Sequence, residues 1–393
     1  MSAISKKFLA IVSIAISLIL VILISFFSLK VPLYFSLAIL VVPIFSILKV
    51  LRAPRKYEGE FDGKVSIVIA AKNEEIVIEK TIREAEKMDY ENFEIVVIDD
   101  GSTDSTAEKL NRLKLEYKNL RVLHVPVESE IHGKAAALNR AFTIVSGDVV
   151  LIIDADVLLN KDFLKEATRP FENPDIGAVQ TGIRGYNIVN FISFLGDADL
   201  AFTNILMEYL LNPRSFGTGF LIRRSVIEKI LPLKETTISE DAQISLAIRG
   251  LGMRSVFHPL VVSSQSVPVK FLPLFKQRKR WFLGALTEMI ENNKLLFLLS
   301  IFGTFLADAA FALLPFKPFS PLATLLLSLF FSSLLITTIN FKRFNIKNPF
   351  FTWFGTCLSY VFDLVVLSLS AFQVPFSINK KLKWYKTPRE GVK

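Results

Sequence analysis

Two aspartates near the end of one apolar segment have the type and spacing needed to hold a metal ion. The segment Val149–Val157 reads VVLIIDADV, with Asp154 and Asp156 two positions apart. This apolar, β-branched run predicts a buried strand of a parallel sheet. Because side chains two apart on a strand share a face, both carboxylates would lie at the carboxyl end of the sheet, where α/β folds bind ligands. Two hard oxygen ligands there suit Mg²⁺ or Mn²⁺ carrying a diphosphate; alternatively, they cap the following helix.

A second acidic pair ends another predicted strand. Asp99 and Asp100 follow the segment Glu94–Ile98 and precede Gly101, which permits a tight turn. An acidic side chain at such an edge can accept a hydrogen bond from a base imide or a ribose hydroxyl. Alternatively, the segment forms an Asx turn and a helix cap at Ser102–Asp104. The residues themselves leave both interpretations open.

Two predicted helix starts carry further candidate residues. Gly133-Lys134 opens one helix, where backbone N–H groups and the lysine could meet a phosphate. Ser239 is the expected N-cap of another, and Glu240 and Asp241 would lie at the favourable end of its dipole. That structural role accounts for one acid but not for two, so Asp241 is a candidate general base.

The histidines do not predict a metal site. The chain has three, His124, His132 and His258, and none has a second histidine at ligand spacing. We therefore expect His132, beside Lys134, to be a surface neighbour.

Two further segments could contact a substrate. The glycines of Phe216-Gly217-Thr218-Gly219 permit close approach of backbone to a ligand. Gln277, Arg280 and Trp281 share one face of a predicted helix over Phe271–Asn293. Together they could grip a diphosphate and stack a sugar; alternatively, they are snorkelling and interfacial side chains at a membrane surface.

The elements that must position these residues alternate between strands and helices. This alternation from Gly63 to about Val262 predicts a parallel sheet in one α/β domain. The predicted strands are Val65–Ala71, Glu94–Ile98, Leu120–Val125, Val149–Val157 and Ile176–Thr181. The predicted helices include Glu74–Lys87, Asp104–Leu113, Lys134–Val145 and Val189–Leu211.

The composition predicts a membrane protein. Of the 393 residues 51% are hydrophobic, 35 are Phe, and the mean hydropathy is +0.44. The net charge of +9 clusters beside apolar segments, which favours anchoring at a membrane surface over nucleic-acid binding. A single cysteine excludes a disulfide within the chain. The predicted spans are Phe8–Leu29, Val31–Ile47, Leu295–Leu314, Leu322–Ile339 and Phe350–Phe372.

The predicted organisation follows from these segments. Residues 1–56 form a transmembrane hairpin, 63–265 the α/β domain, 266–293 an interfacial helix, and 294–393 the C-terminal spans and a basic tail. The positive-inside rule places the α/β domain in the cytoplasm. Asp308 and Asp363 lie inside apolar spans, where they line a polar path or pair neighbouring helices; both alternatives stay open.

Eight motifs in one order carry a family resemblance. Between Val65 and Trp281 they read AAKNEE, IDDGSTDST, HGKAAALN, DADV, VQTG, FGTG, SED and QRKRW. This set resembles the membrane-bound family 2 glycosyltransferases, the group of cellulose, hyaluronan, chitin and poly-N-acetylglucosamine synthases. The resemblance implies an α/β GT-A (Rossmann-like) cytoplasmic domain inserted between transmembrane helices of the cell membrane. It also implies inverting transfer from a nucleotide-diphosphate sugar, with UDP the expected nucleotide.

The resemblance also implies a role for each matched position. Asp154 and Asp156 would hold Mg or Mn on the diphosphate, and Asp241, beside Glu240, would be the catalytic base. The other matched positions would bind substrate: Asn73, Glu74, Asp99 and Asp100 at the nucleotide base, Lys134 near the nucleotide, Phe216, Gly217 and Thr218 on the acceptor side, and Gln277, Arg280 and Trp281 at the diphosphate and acceptor end.

Three functions fit the sequence. The favoured one adds sugars to a growing β-linked polysaccharide, because the Q-x-x-R-W motif directly precedes predicted spans. The second transfers a single sugar to a membrane lipid, since glucosylceramide-type synthases carry a similar motif set. The third is a non-catalytic scaffold or transporter, which is disfavoured because every acid that the chemistry needs is present.

Overall fold

The computed structural model describes residues 56–209, 213, 215–235, 240–292, 349–377 and 387–389. Its contacts divide the chain into two compact units. The sheet unit comprises Pro54–Ser193, Leu206–Val269 and Pro388–Lys393, and the helical unit comprises Met1–Ala53, Phe194–Ile205 and Lys270–Thr387.

A seven-stranded sheet forms the centre of the sheet unit, in the order β3-β2-β1-β4-β6-β5-β7. Its strands are β1 Val65–Ala71, β2 Phe93–Asp99, β3 Leu120–His124, β4 Val149–Asp154, β5 Ile176–Gly185, β6 Phe220–Arg223 and β7 Arg254–Gln265. The first four strands pair in parallel, as their alternation with helices predicts.

The prediction of an all-parallel sheet is wrong at β6. This strand pairs antiparallel with both β4 and β5, while β5 and β7 pair in parallel. Strand β6 has only four residues and lies between a glycine-rich loop and a helix, so its segment lacks the length from which a strand is recognised. The sequence also does not predict β7, whose apolar residues are interrupted by His258-Pro259 and followed by two serines and a glutamine.

Helices cover both faces of the sheet. On one face, α1 Ile78–Ala85, α2 Thr106–Glu116 and α4 Phe163–Thr168 pack against side chains such as Ile67 and Ile69. On the other, α3 Lys134–Ile144, α6 Arg224–Ile230 and α7 Glu240–Gly250 pack against Val68 and Val150. Central strands buried on both faces explain why β1, β2 and β4 read as nearly continuous apolar runs.

The helical unit contains α8 Phe271–Asn292, α9 Pro349–Ser377 and the middle of α5 Phe191–Tyr209. The guanidinium of Arg278 on α8 lies 2.6 Å from Asp199 on α5 and 3.5 Å from Asp363 on α9. This ion-pair network supports helix pairing as the role of Asp363. The other candidate, Asp308, lies outside the described residues.

Of the predicted spans, only Phe350–Phe372 falls within the described residues, where it forms most of α9. Within the described part of the chain, no helix is both long enough and apolar enough to cross a bilayer. The predicted spans Phe8–Leu29, Val31–Ile47, Leu295–Leu314 and Leu322–Ile339 lie outside the described residues.

Candidate active site

The register of the central strands brings two acidic loops to one edge of the sheet. On one side of β1, Ala71 is opposite Asp99 of β2, and on the other side Ala70 is opposite Asp154 of β4. The backbone N–H of Asp100 donates to the carbonyl of Ala71 (2.8 Å). Since neighbouring strands are about 4.8 Å apart, Asp99 and Asp154 are separated by about 10 Å, which suits a ligand with two polar ends.

Asp154 and Asp156 have different surroundings. Strand β4 ends at Asp154, and Asp156 lies in the turn beyond it, so the prediction that both lie on one strand face is wrong. The Asp154 side chain is 36% exposed, whereas Asp156 is buried and accepts hydrogen bonds from the backbone N–H (3.1 Å) and the hydroxyl of Ser266.

Lys134 connects three parts of the site, as the first residue of α3. Its ammonium donates to Asp154 Oδ1 and to the carbonyl of Gly217, both at 2.7 Å, and lies 3.3 Å from Glu240 Oε1. Burial alone lowers the pKa of this lysine, but the carboxylates of Asp154 and Glu240 outweigh burial and raise it. Lys134 is therefore a fixed cation between the aspartate of β4 and the start of α7.

The loop that contains Phe216, Gly217 and Thr218 is tied to the same acids. The hydroxyl of Thr218 accepts the N–H of Asp154 (3.0 Å). The fully buried Gln180 accepts the N–H of Phe216 (2.9 Å) and donates to the carbonyl of Thr218 (3.0 Å). Gly217 has a φ of +77°, and a side chain there would contact Lys134 Nζ at 3.4 Å. Glycine thus allows the loop to turn directly over Lys134.

Helix α7 begins with two acids whose surroundings differ. Glu240 is 6% exposed and forms the ion pair with Lys134. Asp241 is half-buried, and its Cβ lies 3.8 Å from the position that a side chain at Gly217 would take. The structure thus brings both acids to the glycine loop, and it engages Glu240 with the lysine. The predicted N-cap Ser239 lies outside the described residues.

The acidic pair after β2 has two structural roles. Asp99 accepts the N–H of Ser102 (3.1 Å), which forms the Asx turn that the sequence offers as an alternative to nucleotide binding. Asp99 also pairs with His124 Nδ1 (2.8 Å). Asp100 pairs with His132 Nδ1 (2.9 Å) and accepts the N–H of Gly133 (2.8 Å). His132, which the sequence places beside Lys134, is therefore also a partner of Asp100, and its side chain is 24% exposed.

Asn73 joins the first loop of the site to the second. It has a φ of +56°, which asparagine tolerates better than most residues. Its side-chain oxygen accepts the N–H of Thr103 (2.7 Å), and its own N–H donates to Ser102 (2.8 Å). Asn73 thus fixes the geometry of the loop that carries the acids.

Arg389, in the basic tail, forms ion pairs with Asp156 and Glu74. Arg389 Nη1 lies 2.8 Å from Asp156 Oδ2, and its Nε and Nη2 lie 3.2 and 3.3 Å from the carboxylate of Glu74. Burial lowers the pKa of Arg389, but Asp156 and Glu74 outweigh burial and raise it. Burial, followed by the charge of Asp156, raises the pKa of nearby Tyr186 to about 12.

The carboxylates of Asp154 and Asp156 are ligands that suit a divalent cation whose coordination a substrate completes. Asp154 forms an ion pair with Lys134, and Asp156 forms one with Arg389. Both carboxylates therefore lie where they bind positive charge. Among the described residues, no cluster of three or more His, Cys, Asp or Glu side chains could hold a metal by itself. Mg²⁺ sites commonly use one or two carboxylates and complete the shell with substrate phosphates, which these two residues suit.

Comparison with known families identifies the chain. The model of "Glycosyl transferase family group 2" matches residues 149–366, more than half of the sequence. This chain belongs to that family. The model of "Glycosyl transferase family 2" matches residues 66–231 of the same glycosyltransferase.

Two curated relatives differ in the extent of their match. A β-monoglucosyldiacylglycerol synthase of Nostoc is 26% identical over 379 residues, which cover 86% of this chain and 80% of the relative. A poly-β-1,6-N-acetyl-D-glucosamine synthase of Staphylococcus aureus is 28% identical over 242 residues, covering 59% of this chain and 57% of the relative.

A solved structure has the same fold. The mannosyltransferase PcManGT from Pyrobaculum calidifontis, solved in complex with GDP-Man and Mn²⁺, aligns with a TM-score of 0.58 at 19% identity. The alignment covers 95% of this chain and all of the mannosyltransferase chain. The glycosyltransferase therefore has the GT-A fold that its motifs imply.

Gln277, Arg280 and Trp281 of the glycosyltransferase lie on α8, in the helical unit. Gln277 is buried and Trp281 is 38% exposed. The intervening Arg278 lies over the Trp281 ring, 4.5 Å from its centroid. Trp281 thus has a cationic partner on its own helix, and the substrate role of this motif stays a prediction.

Sequence reasoning missed four residues of the site: Arg389, His132, Gln180 and Ser266. The basic residues of the tail predict only anchoring at a membrane surface, so they give no signal for Arg389. His132 had a usable signal, because it directly precedes the Gly-Lys pair. Gln180 lies in the VQTG motif, but the motif does not indicate that its side chain bonds to the glycine loop. Ser266 lies just beyond β7, a strand that the sequence does not predict.

Proposed function

We propose that this glycosyltransferase transfers a sugar, with inversion, from a nucleotide-diphosphate sugar to an acceptor hydroxyl. The observation that carries the proposal is the position of Lys134, whose ammonium contacts Asp154, the Gly217 carbonyl and Glu240. A fixed cation between these groups provides a counter-charge for a diphosphate leaving group, on which negative charge grows during transfer.

The residues at the strand ends would bind different parts of the donor. Asp99 and Asp100, with Asn73 and Glu74 in the neighbouring loop, would bind the nucleotide base and ribose. Asp154 and Asp156 would hold Mg²⁺ or Mn²⁺ on the diphosphate, and the bound cation would act there as a Lewis acid. The spacing of about 10 Å across β1 is compatible with one nucleoside diphosphate that contacts both loops.

Asp241 is the proposed general base. Glu240 forms an ion pair with Lys134, and Asp241 lies against the glycine loop on the proposed acceptor side. Asp241 would remove the proton of the acceptor hydroxyl as that oxygen attacks the anomeric carbon. Attack opposite the leaving diphosphate inverts this carbon, so an α-linked donor gives a β-linked product.

The acceptor is either a growing polysaccharide or a membrane lipid. The Q-x-x-R-W motif directly before predicted spans favours a polysaccharide. The more extensive match to the β-monoglucosyldiacylglycerol synthase, 86% against 59% of the chain, favours a lipid. For either acceptor we propose a multi-pass protein of the cell membrane with its sheet unit in the cytoplasm. This proposal rests on the apolar segments and the basic residues beside them.

Product size distinguishes the two acceptors. The full-length protein, reconstituted in lipid vesicles containing diacylglycerol, would be incubated with Mn²⁺ or Mg²⁺ and radiolabelled UDP- or GDP-sugars. GDP-mannose is included because the structural relative was solved with it. A single labelled glycolipid supports the lipid acceptor, and a long glycosidase-sensitive polymer supports a synthase. No product and no hydrolysis of any donor would overturn the proposed activity.

A further inference from the structure

We infer that Arg389 is a catalytic residue that donates hydrogen bonds to the diphosphate of the sugar donor, and that Glu74 holds it in position to do so. The inference deepens the proposed function and rests on it, because it assumes that Asp154 and Asp156 hold the diphosphate through a divalent cation. The evidence is the way in which one guanidinium divides its contacts between two acids.

One edge of the guanidinium is held by Glu74. Nε lies 3.2 Å from Glu74 Oε2 and Nη2 lies 3.3 Å from Oε1, which is the paired geometry in which arginine binds a carboxylate. Glu74 is itself fixed, because its N–H donates to the hydroxyl of Thr106 (2.8 Å) and its carbonyl accepts the N–H of Ile78 in α1 (3.0 Å). Glu74 is also buried. Its carboxylate is therefore a rigid anchor for Arg389.

The third nitrogen, Nη1, reaches the proposed metal site. It lies 2.8 Å from Asp156 Oδ2 and 3.3 Å from Ser266 Oγ. Ser266 donates to the same Oδ2 through its N–H and through its hydroxyl. Among the described residues, every hydrogen bond and ion pair of Asp156 thus involves Oδ2, which leaves Oδ1 for a cation. A cation bound to Oδ1 would therefore share this carboxylate with Nη1.

This position suits a contact with the diphosphate. A diphosphate that completes the coordination of a cation on Asp154 and Asp156 brings anionic oxygens to these two carboxylates. The cation would neutralise part of the charge of Asp156, and a phosphate oxygen would become the better anionic partner for Nη1. Arginine suits such an exchange, since its planar guanidinium binds carboxylate and phosphate in the same geometry. Glu74 would hold the other edge throughout.

The contact would act on the leaving group during transfer. The acceptor oxygen forms a bond with the anomeric carbon as the bond from that carbon to the diphosphate breaks. The electron pair of the broken bond passes to the diphosphate, and the acceptor proton passes to Asp241. Negative charge therefore grows on the oxygens that Arg389 would contact, where a fixed cation stabilises the transition state more than the ground state. Lys134 is the corresponding cation at Asp154.

Two other roles would give the same contacts. A guanidinium that only blocks the site would have to leave before the donor binds, so its removal would increase donor affinity. A guanidinium that only ties the tail to the sheet unit would contribute to stability but not to the binding of a particular phosphate. The three roles therefore differ in their effects on UDP and UMP, which share a base, a ribose and the first phosphate.

The test is the affinity of the full-length protein for UDP and for UMP with Mn²⁺, with GDP and GMP as a second pair. The variants are Arg389→Met, Arg389→Lys and Arg83→Met. Arg389→Met should bind UDP about tenfold more weakly, as for the loss of one hydrogen bond to a charged group, and UMP within about twofold of the unsubstituted protein. The second phosphate, which leaves the sugar, is what distinguishes the two ligands.

Turnover provides a separate measurement. Arg389→Met should lower kcat by about 10²-fold, as for the removal of one group that stabilises a developing charge. Arg389→Lys keeps a cation but not the paired geometry, so it should recover part of the loss in kcat and part of the loss in UDP affinity.

Arg83→Met is the matched control. Arg83 also joins two acids, Glu79 at 3.0 Å and Glu116 at 2.8 Å, and its side chain is 37% exposed. It lies in the last turn of α1, at the far end of that helix from Glu74. Arg83→Met removes two ion pairs outside the proposed site, so it should leave kcat and both nucleotide affinities unchanged.

The outcomes separate the three roles. If Arg389→Met binds UDP more tightly or turns over faster, the guanidinium blocks the site and the inference is overturned. If it loses UDP and UMP affinity equally, or loses neither, Arg389 does not contact the second phosphate, which overturns the inference while the proposed function stands. If the unsubstituted protein binds neither UDP nor GDP and hydrolyses no donor, the proposed function fails, and the inference fails with it.

Discussion

Replacing Lys134 by Met should destabilise the sheet unit far more than removing an exposed ion pair of the same length. The ammonium lies 2.7 Å from Asp154 and 3.3 Å from Glu240, and the lysine side chain is only 11% exposed. Methionine has a similar length and no charge, so Lys134→Met would leave two carboxylates at the strand edge without their cation.

The magnitude follows from the burial of these partners. At an effective dielectric constant of about 20, the two attractions amount to about 6 and about 5 kcal/mol, and most of this offsets the cost of burying the ammonium. Removing one partner of a buried pair costs about 3–5 kcal/mol. Because water can partly solvate Asp154, which is 36% exposed, we expect about 3 kcal/mol, or a decrease in Tm of about 6–12 °C.

Lys87→Met is the matched control. Lys87 lies 2.8 Å from Glu84, but its side chain is 55% exposed, so its loss should cost less than about 1 kcal/mol. Thermal unfolding measured for both variants provides the comparison. The double variant Lys134→Met, Glu240→Gln should recover part of the lost stability, because one stranded carboxylate is neutralised. If Lys134→Met costs no more than Lys87→Met, the argument for a buried central cation is refuted.

Three other substitutions test separate parts of the site and the fold. Asp241→Asn should lower transfer by about 10²–10⁴-fold and leave UDP–Mn²⁺ affinity nearly unchanged in calorimetry; loss of affinity with normal transfer would contradict the proposed base. Arg389→Ala should strengthen Mn²⁺ binding without donor, since a guanidinium 2.8 Å from Asp156 no longer competes; unchanged binding would refute that competition. Burial lowers the pKa of His258 to about 4. Between about pH 6.5 and about pH 4 protons therefore bind preferentially to the unfolded chain, so the free energy of unfolding decreases as the pH falls through this range. His258→Phe should remove about 3 kcal/mol of that decrease, seen as a flatter curve of Tm against pH, and a parallel curve would count against it.

The parts of the fold that the sequence predicts are those whose evidence is local. Strand β1 has the predicted bounds, and β2 and β4 lie within three residues of theirs. Each is buried on both faces and flanked by turn residues, so it is recognisable by itself. Strands β6 and β7 depend on their partners in the sheet. Neither a strand of four residues nor one interrupted by His258-Pro259 and ending in Ser263-Ser264-Gln265 carries a comparable signal.

The same distinction applies to the site. The motifs identify the acids, because Asp99, Asp100, Asp154 and Asp156 all stand at the ends of apolar strand segments that are recognisable from the sequence. They also identify Lys134, but they do not identify Arg389, because it contacts Glu74 from 315 positions away in the chain. The sequence also assigned Asp154 and Asp156 to one strand face. The strand stops between them, and Asp156 instead bonds to Ser266 beyond β7.

The pairing of cations with acids also constrains how a donor can bind. Asp154 and Glu240 share Lys134, and Asp156 and Glu74 share Arg389. A divalent cation held by Asp154 and Asp156 would weaken both ion pairs, which by itself would cost free energy. A diphosphate that arrives with the cation supplies the anionic partner that Lys134 and Arg389 would then lack. We therefore expect metal and nucleotide to bind cooperatively, each increasing the affinity for the other. Mn²⁺ affinity measured with and without UDP would test this, and equal affinities would show that the two cations do not couple the ligands.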